Sequence, residues 1–197
     1  MKLLSAWKFL RHAKEIYNFI NNGDFVISEG GVIVRDSLRI KGEYFIDDKV
    51  YPQCNLLTTE SINNILDVVY GATSKQSTWY ISLYSGNATP AAGWTAANYP
   101  ANATENTSQT EGFSGANRIE FVDAAAAAGV ISNLASRAEF TIVTASTVTF
   151  YGAAMHTVQT RGATTGVLGS AIRFDTAETK NNGNTFQVGY QLSITDS

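Results

Sequence analysis

The residues best suited to metal binding or nucleophilic catalysis are the two histidines, His12 and His156, and the single cysteine, Cys54. Neither histidine has a second histidine or a cysteine at the short spacing that zinc sites use. The sequence also lacks the Gly-x-Ser-x-Gly of a nucleophile elbow and the Gly-x-x-x-x-Gly-Lys of a phosphate-binding loop. We therefore predict no metal, no cofactor and no enzymatic activity.

Acidic side chains are the other candidates for catalysis, because a glycosidase needs two carboxylates about 5–10 Å apart in a cleft. The second half of the chain offers Glu105, Glu111, Glu120, Asp123, Glu139, Asp175 and Glu178. Their positions in the sequence do not fix their separations, and most such charges are solvated residues of strands or loops. A polysaccharide-degrading enzyme is therefore an alternative interpretation and not the favoured one.

The composition argues against several classes of partner. The 197 residues carry a net charge of -3, and 16% of them are charged. This weak, mixed charge lacks the clustered Lys and Arg that nucleic-acid binding needs. Lys8, Arg11 and Lys14 interrupt the apolar segment that a signal peptide would need, and no apolar run reaches the roughly 18 residues of a membrane span. We expect no nucleic-acid or membrane partner, and synthesis in a cytoplasm.

The first element that could position a binding surface is a predicted amphipathic helix over residues 2–20. Its apolar residues recur every three or four positions, at Leu3, Trp7, Leu10, Ala13, Ile16, Tyr17 and Ile20. Three interpretations stay open: a helix packed on its own domain or on copies of itself, a peg that inserts into another protein, or a helix lying on a membrane surface. The candidate partner-binding residues are Leu3, Trp7, Leu10, Tyr17 and Ile20.

Short β-rich runs follow, and they predict two hairpins. One has its turn at residues 29–31 and the other at Lys41-Gly42. Pro52 then begins a segment of different composition. We predict an attachment region over residues 1–52 and a β domain over residues 53–197 that folds without it.

A second helix is predicted after Thr58, which is a good N-cap residue, and before Gly71. Its apolar positions are expected to form the buried face. They are Ile62, Ile65, Leu66 and Val69.

The segment 87–117 is rich in Ala, Thr and Asn and shows no lasting period, so it is predicted to be a long surface excursion. Its aromatic residues argue against disorder. Trp94 and Tyr99 are candidate partner-binding residues that could stack on a sugar. The commoner interpretation is that such rings anchor a loop to its own domain.

The strongest strand signal is at the end of the chain, where residues 185–195 alternate polar and apolar side chains. Residues 139–150 are predicted to form a further hairpin, with a turn at Ala145-Ser146. Many short strands separated by turn residues predict a mainly β chain: an antiparallel β-sandwich or jelly-roll-like domain preceded by the N-terminal helix and hairpins.

An ordered series of short patterns resembles a group of small virion proteins of tailed bacteriophages. The patterns are Leu56-Leu57-Thr58-Thr59-Glu60, Trp79-Tyr80-Ile81-Ser82-Leu83-Tyr84-Ser85-Gly86, Pro90, Trp94-Thr95-Ala96-Ala97, Glu111-Gly112, Arg118, Asn133, Gly152-Ala153, Thr160-Arg161-Gly162, Thr164-Thr165-Gly166 and the terminal strand. Position 161 is more often lysine in that group, and residues 1–54 have no counterpart there.

The resemblance implies a structural protein located in the virion after synthesis in the host cytoplasm. It implies a decoration, cement or head-fibre-like protein on the capsid surface, with a neck or tail component as the alternative. The implied partners are the major capsid protein or neck and tail proteins, together with further copies of this chain, a homotrimer being favoured. A host-receptor or carbohydrate-binding module that uses segment 87–117 is the other alternative.

Overall fold

A computed structural model describes residues 25–28, 31–34, 39–47, 49–51 and 56–195. The chain is mainly β, as predicted. Within these ranges the strands are β1 (Phe25–Ser28), β2 (Gly31–Val34), β3 (Arg39–Ile46), β4 (Lys49–Tyr51), β5 (Leu56–Leu57), β6 (Tyr80–Tyr84), β7 (Gly112–Phe113), β8 (Ile119–Glu120), β9 (Val130–Ser132), β10 (Ala138–Val143), β11 (Thr147–His156), β12 (Leu168–Asn181) and β13 (Thr185–Thr195). The helices of the same ranges are α1 (Thr59–Tyr70) and α2 (Tyr99–Ala103). Among the described residues, no helix is long and apolar enough to cross a membrane.

The chain divides into two compact units. The first comprises Met1–Ile40 with Ile194–Ser197, and the second comprises Lys41–Ser193. In the first unit β1 and β2 form an antiparallel pair, in which Phe25 lies opposite Val34. This pair confirms the first predicted hairpin. The predicted helix over residues 2–20 lies outside the described residues.

Two antiparallel sheets build the second unit. One has the strand order β4-β3-β13-β10-β7, with β9 paired to β13, and the other has the order β5-β12-β11-β6-β8. Both sheets contribute to a single hydrophobic core. It includes Phe140 and Phe186 from the first sheet and Leu83 and Phe150 from the second, all fully buried.

The terminal strand β13 confirms the alternation predicted for it over most of its length. Phe186, Val188 and Tyr190 are buried in the core, whereas Leu192 is half-buried and Ile194 is 40% exposed. The apolar side chains of this strand are therefore less buried towards its end. There the partner on one side is the three-residue strand β9 in place of β10.

Two predicted hairpins are wrong in the structure. Residues 39–46 form one continuous strand that lies between β4 and β13. Gly42 is buried, as Tyr44 is two residues later, and does not make a turn. Strands β10 and β11 follow each other but belong to different sheets, β10 pairing with β13 and β11 with β12. The buried apolar residues of both strands fall at even-numbered positions. They face the same core, β10 from the first sheet and β11 from the second.

The two compact units divide between Ile40 and Lys41, and the domain boundary after residue 52 stays a prediction. Strands β3 and β4 belong to the sheet of the second unit. Their residues Tyr44, Ile46 and Tyr51 are buried in its core. The contacts of these side chains therefore join residues 41–51 to the β domain, and an attachment role for residues 1–52 stays a prediction.

Candidate functional site

Helix α1 begins and ends at the residues that the sequence predicted. The Thr58 Oγ1 atom accepts a hydrogen bond of 3.1 Å from the backbone N–H of Ser61, and it donates one of 2.6 Å to the carbonyl oxygen of Leu168. Gly71 closes the last turn through its N–H, which donates to the carbonyl of Asp67. Thr58 thus caps the helix and attaches it to β12 at the same time.

The rotation of α1 about its axis is set by polar contacts in its first turn. The Glu60 Oε2 atom accepts hydrogen bonds from the backbone N–H groups of Ala96, at 2.8 Å, and Leu168, at 2.7 Å. Ser61 is buried, and the N–H of Thr59 donates to the carbonyl of Ala92. The side of the helix that carries Ser61 and Ile65 therefore faces the domain.

Most of the apolar stripe of α1 consequently faces outward. Four large side chains at positions i, i+4, i+7 and i+8 are exposed: Ile62 at 44%, Leu66 at 51%, Val69 at 61% and Tyr70 at 85%. The sequence had predicted that Ile62, Ile65, Leu66 and Val69 would be buried, which is wrong for all but the half-buried Ile65. The helical period had identified the stripe correctly but not the side on which the domain lies. We call the four exposed residues the α1 face.

A mostly apolar groove of about 170 Å³ lies beside Ile65, under the helix. Its walls include Leu57, Ile65, Trp79, Phe121, Ile131 and Leu192. Because Ile65 lines the groove and neighbours the exposed Ile62 and Leu66 on the helix, the groove and the α1 face are adjacent.

The long excursion over residues 87–117 is attached to the second sheet by aromatic packing. The rings of Trp94, Tyr99 and Tyr84 form a cluster with centroid separations of 6.1–6.3 Å. Trp94 is 7% exposed and Tyr99 is fully buried. The structure thus brings these two predicted site residues together as anchors of the excursion, and little of either ring is available to a sugar.

A buried ion pair attaches the end of the same excursion. The Arg118 guanidinium donates to both carboxylate oxygens of Glu105, at 2.8 and 2.7 Å, and its Nη1 donates to the carbonyl of Val158 at 2.9 Å. The side chains of the pair are 0% and 1% exposed. This bidentate geometry fits a charge pair that is fully removed from water.

The guanidinium of Arg161 donates hydrogen bonds to several backbone carbonyls of the excursion. It donates to the carbonyls of Asn106, Ser108 and Phe113, at 2.7–3.2 Å, and lies 3.7 Å above the Phe113 ring. Burial acts first to lower the pKa of Arg161, and the Glu105 carboxylate opposes this. Arg118 and Arg161 both occur in the patterns of the resemblance, but a single sequence could not reveal which carbonyls they would bind.

The structure also forms a serine–histidine contact that the sequence did not predict. The Ser82 Oγ atom lies 2.9 Å from His156 Nε2 and 2.8 Å from the Tyr99 hydroxyl. Burial, and secondarily the charge of Arg118, place the pKa of His156 well below its usual range. A nucleophile must be reachable by its substrate, yet Ser82 and His156 are each 1% exposed. The contact therefore belongs to the interior of the fold.

Three of the candidate carboxylates are bound by different partners. Glu105 pairs with Arg118, Glu111 accepts from Thr144 and Ala145, and Glu178 accepts from Lys49 and Tyr51. The other candidates, Glu120, Asp123, Glu139 and Asp175, are exposed. Within the described ranges, no group of three or more His, Cys, Asp or Glu residues could hold a metal ion.

The predicted site residues Leu3, Trp7, Leu10, Tyr17 and Ile20 lie outside the described residues. The described part of the chain presents the exposed apolar α1 face beside a mostly apolar groove. No protein-family model matches this chain, and no curated protein matches it.

Proposed function

We propose that this chain is a structural protein of a tailed-bacteriophage virion. In this proposal it decorates or cements the capsid surface, or forms a head fibre, and it acts by self-association and by docking on the particle. The virion role rests on the resemblance carried by residues 55–195. The assembly role rests on one observation, the outward-facing α1 face.

The rotation of α1 about its own axis places the α1 face on the surface of the domain. Single exposed apolar residues are normal on protein surfaces, but a contiguous patch is characteristic of an interaction site. Here the patch is most of the apolar stripe of an amphipathic helix. It is held outward by the hydrogen bond that Glu60 accepts from the N–H of Leu168 and by the one that Thr58 donates to the carbonyl of Leu168. A protein that functions through assembly accounts for this arrangement.

The buried polar groups support the same interpretation. Arg118, Glu105 and Arg161 are used to hold the excursion, and the Ser82–His156 contact is enclosed. These contacts hold the excursion on the domain, and they use the charged groups named here inside the fold.

The finer fold is part of the proposal. We propose a jelly-roll-like sandwich for the β domain, supported by two antiparallel sheets that share one core. The N-terminal region would attach the domain to the major capsid protein, or to neck or tail proteins, through Leu3, Trp7, Leu10, Tyr17 and Ile20. The capsid-bound form would be a homo-oligomer, with a trimer favoured.

Quantitative mass spectrometry of gradient-purified particles tests the virion role. We expect this chain at many copies per particle in the parent phage and none in a strain that lacks its gene. Its absence from parent particles would overturn the proposal. Imaging of antibody-labelled particles then separates the capsid surface from the neck and tail.

A carbohydrate-binding module is not favoured by any described contact, because Trp94 and Tyr99 are buried. Loss of glycan binding in a Trp94→Ala variant would be ambiguous, since it would also remove an anchor of the excursion. The matched test therefore uses the unaltered protein on a glycan array, where we expect no binding.

A further inference from the structure

We infer that the α1 face is the surface through which copies of this chain associate with one another. The inference deepens the proposed function and rests on it for the biological reason to assemble. It goes beyond the proposed function by naming the contact residues, which are Ile62, Leu66, Val69 and Tyr70. It also names the surface that they bind, which is the same face of another copy.

The size of the α1 face suits association between copies. Four large side chains exposed at 44–85% present an apolar patch on the order of 500 Å², near the upper end of what a monomer normally shows. Two copies that cover it would bury about 1,000 Å² in total, which is close to the smallest specific interfaces. The adjacent groove adds apolar wall, so the contact can extend beyond the helix.

The spacing of these residues suits helix-to-helix contact. Ile62 and Val69 are one heptad apart and Leu66 lies between them, so the stripe runs along the helix axis as an interhelical seam does. Tyr70 extends the stripe at its end. A straight seam on one copy can pack against the same seam on another copy, as the two surfaces of an isologous contact do.

The charges on α1 permit contact between identical faces. The helix carries two carboxylates, Glu60 and Asp67, and no basic residue in its last turn. Glu60 is bound inward by the N–H groups of Ala96 and Leu168. Asp67 lies about a third of a turn away from the centre of the α1 face. Copies can therefore meet through this face without bringing carboxylates together at its centre.

Two substitutions to lysine at neighbouring positions test the inference in the full-length chain. Leu66→Lys places a charge in the middle of the α1 face, whereas Asp67→Lys places the same side chain outside it. Sedimentation equilibrium measures the association constant, and circular dichroism checks the fold. We expect the parent and Asp67→Lys proteins to be oligomeric, and Leu66→Lys to associate at least tenfold more weakly.

The association of the parent protein and of the lysine variants tests the inference. A monomeric parent protein would overturn the inference, as would a Leu66→Lys protein that associates as strongly as the parent. If Leu66→Lys fails to fold, Val69→Lys provides the same test. An oligomer that Leu66→Lys dissociates, but that is absent from particles, would uphold the inference and refute the virion role. A particle protein whose association survives Leu66→Lys would do the reverse.

Discussion

Arg118 and Glu105 illustrate, at the scale of single residues, how the excursion is fixed. Replacing Arg118 with Met would leave the Glu105 carboxylate buried without its charge partner, and the expected loss is about 3–5 kcal/mol of unfolding free energy. Urea unfolding followed by tryptophan fluorescence measures it. The matched control is Arg173→Met, since the half-buried Arg173 donates its hydrogen bonds to the exposed side chain of Asn87, and its expected cost is below about 1 kcal/mol.

A double-mutant cycle separates the pair from its surroundings. If the buried charge is the cause, adding Glu105→Gln to Arg118→Met should recover part of the loss, because the carboxylate is then neutral. Equal losses for Arg118→Met and Arg173→Met would contradict the structural role of the ion pair.

His156 gives a prediction about pH. Its folded pKa lies well below 6.5 because it is buried, and Arg118 adds to the effect. The unfolded chain therefore binds more protons than the folded one once the pH falls below about 6.5. Stability that is present above this pH should be lost on acidification towards the folded pKa, by at most about 1.4 kcal/mol per pH unit.

The control for pH is His156→Gln, which removes the titrating group. Its stability should stay nearly flat between pH 7 and 5, in thermal or urea unfolding, where the parent protein weakens. Hydrogen bonds through Thr144 and Ala145 lower the pKa of Glu111 from 4.5. Against the effect of burial, hydrogen bonds through Lys49 and Tyr51 also lower the pKa of Glu178 from 4.5. The stability that these two carboxylates contribute is therefore lost at lower pH than the window for His156. Parallel curves for the parent and the variant would show that His156 is not responsible.

At the scale of elements, strand β13 carries the clearest prediction. Val188 is fully buried between the two sheets, and Val188→Asp should cost several kcal/mol, against a total stability of about 5–15 kcal/mol for a typical domain. Gln191→Asp, at a half-buried polar position of the same strand, should be mild. Leu192→Asp should fall between the two because Leu192 is half-buried. Soluble yield and thermal unfolding distinguish the three variants.

The helices and strands also show which features of the fold could be predicted from the sequence. The Thr58 cap and the alternation of β13 depend on local chemistry, and both were predictable. The helical stripe of α1 was also visible, but its direction depends on Glu60 reaching Ala96 and Leu168, which are far away in the sequence. Likewise, Phe140 and Phe150 both fall at even-numbered positions, which indicated that they share one core. The sequence did not reveal that they reach this core from different sheets.

The site residues follow the same division between local and distant contacts. Trp94 and Tyr99 could be recognised as aromatic residues in an otherwise small-residue loop. Their burial depends on Tyr84 in β6, and the position of the loop depends on Arg118 and Arg161. Only the fold brings those residues to the excursion.

At the scale of the whole molecule, two truncations locate the boundary of the β domain. Deleting residues 1–38 keeps β3 and β4, and we expect a folded, cooperative protein. Deleting residues 1–52 removes Tyr44, Ile46 and Tyr51 from the core and exposes an edge of β13, so we expect aggregation. Thermal unfolding and soluble yield report both results, and a well-folded product of the longer deletion would support the boundary predicted from the sequence.

The central claim is that this chain is a component of a virion. Cryo-electron microscopy of purified particles from the parent phage and from a strain lacking the gene tests it most directly. We predict symmetric surface density in the parent map that is missing from the deletion map and that accommodates the two sheets of the β domain, with the α1 face of each copy at a contact between copies. Identical maps from the two strains would contradict the claim.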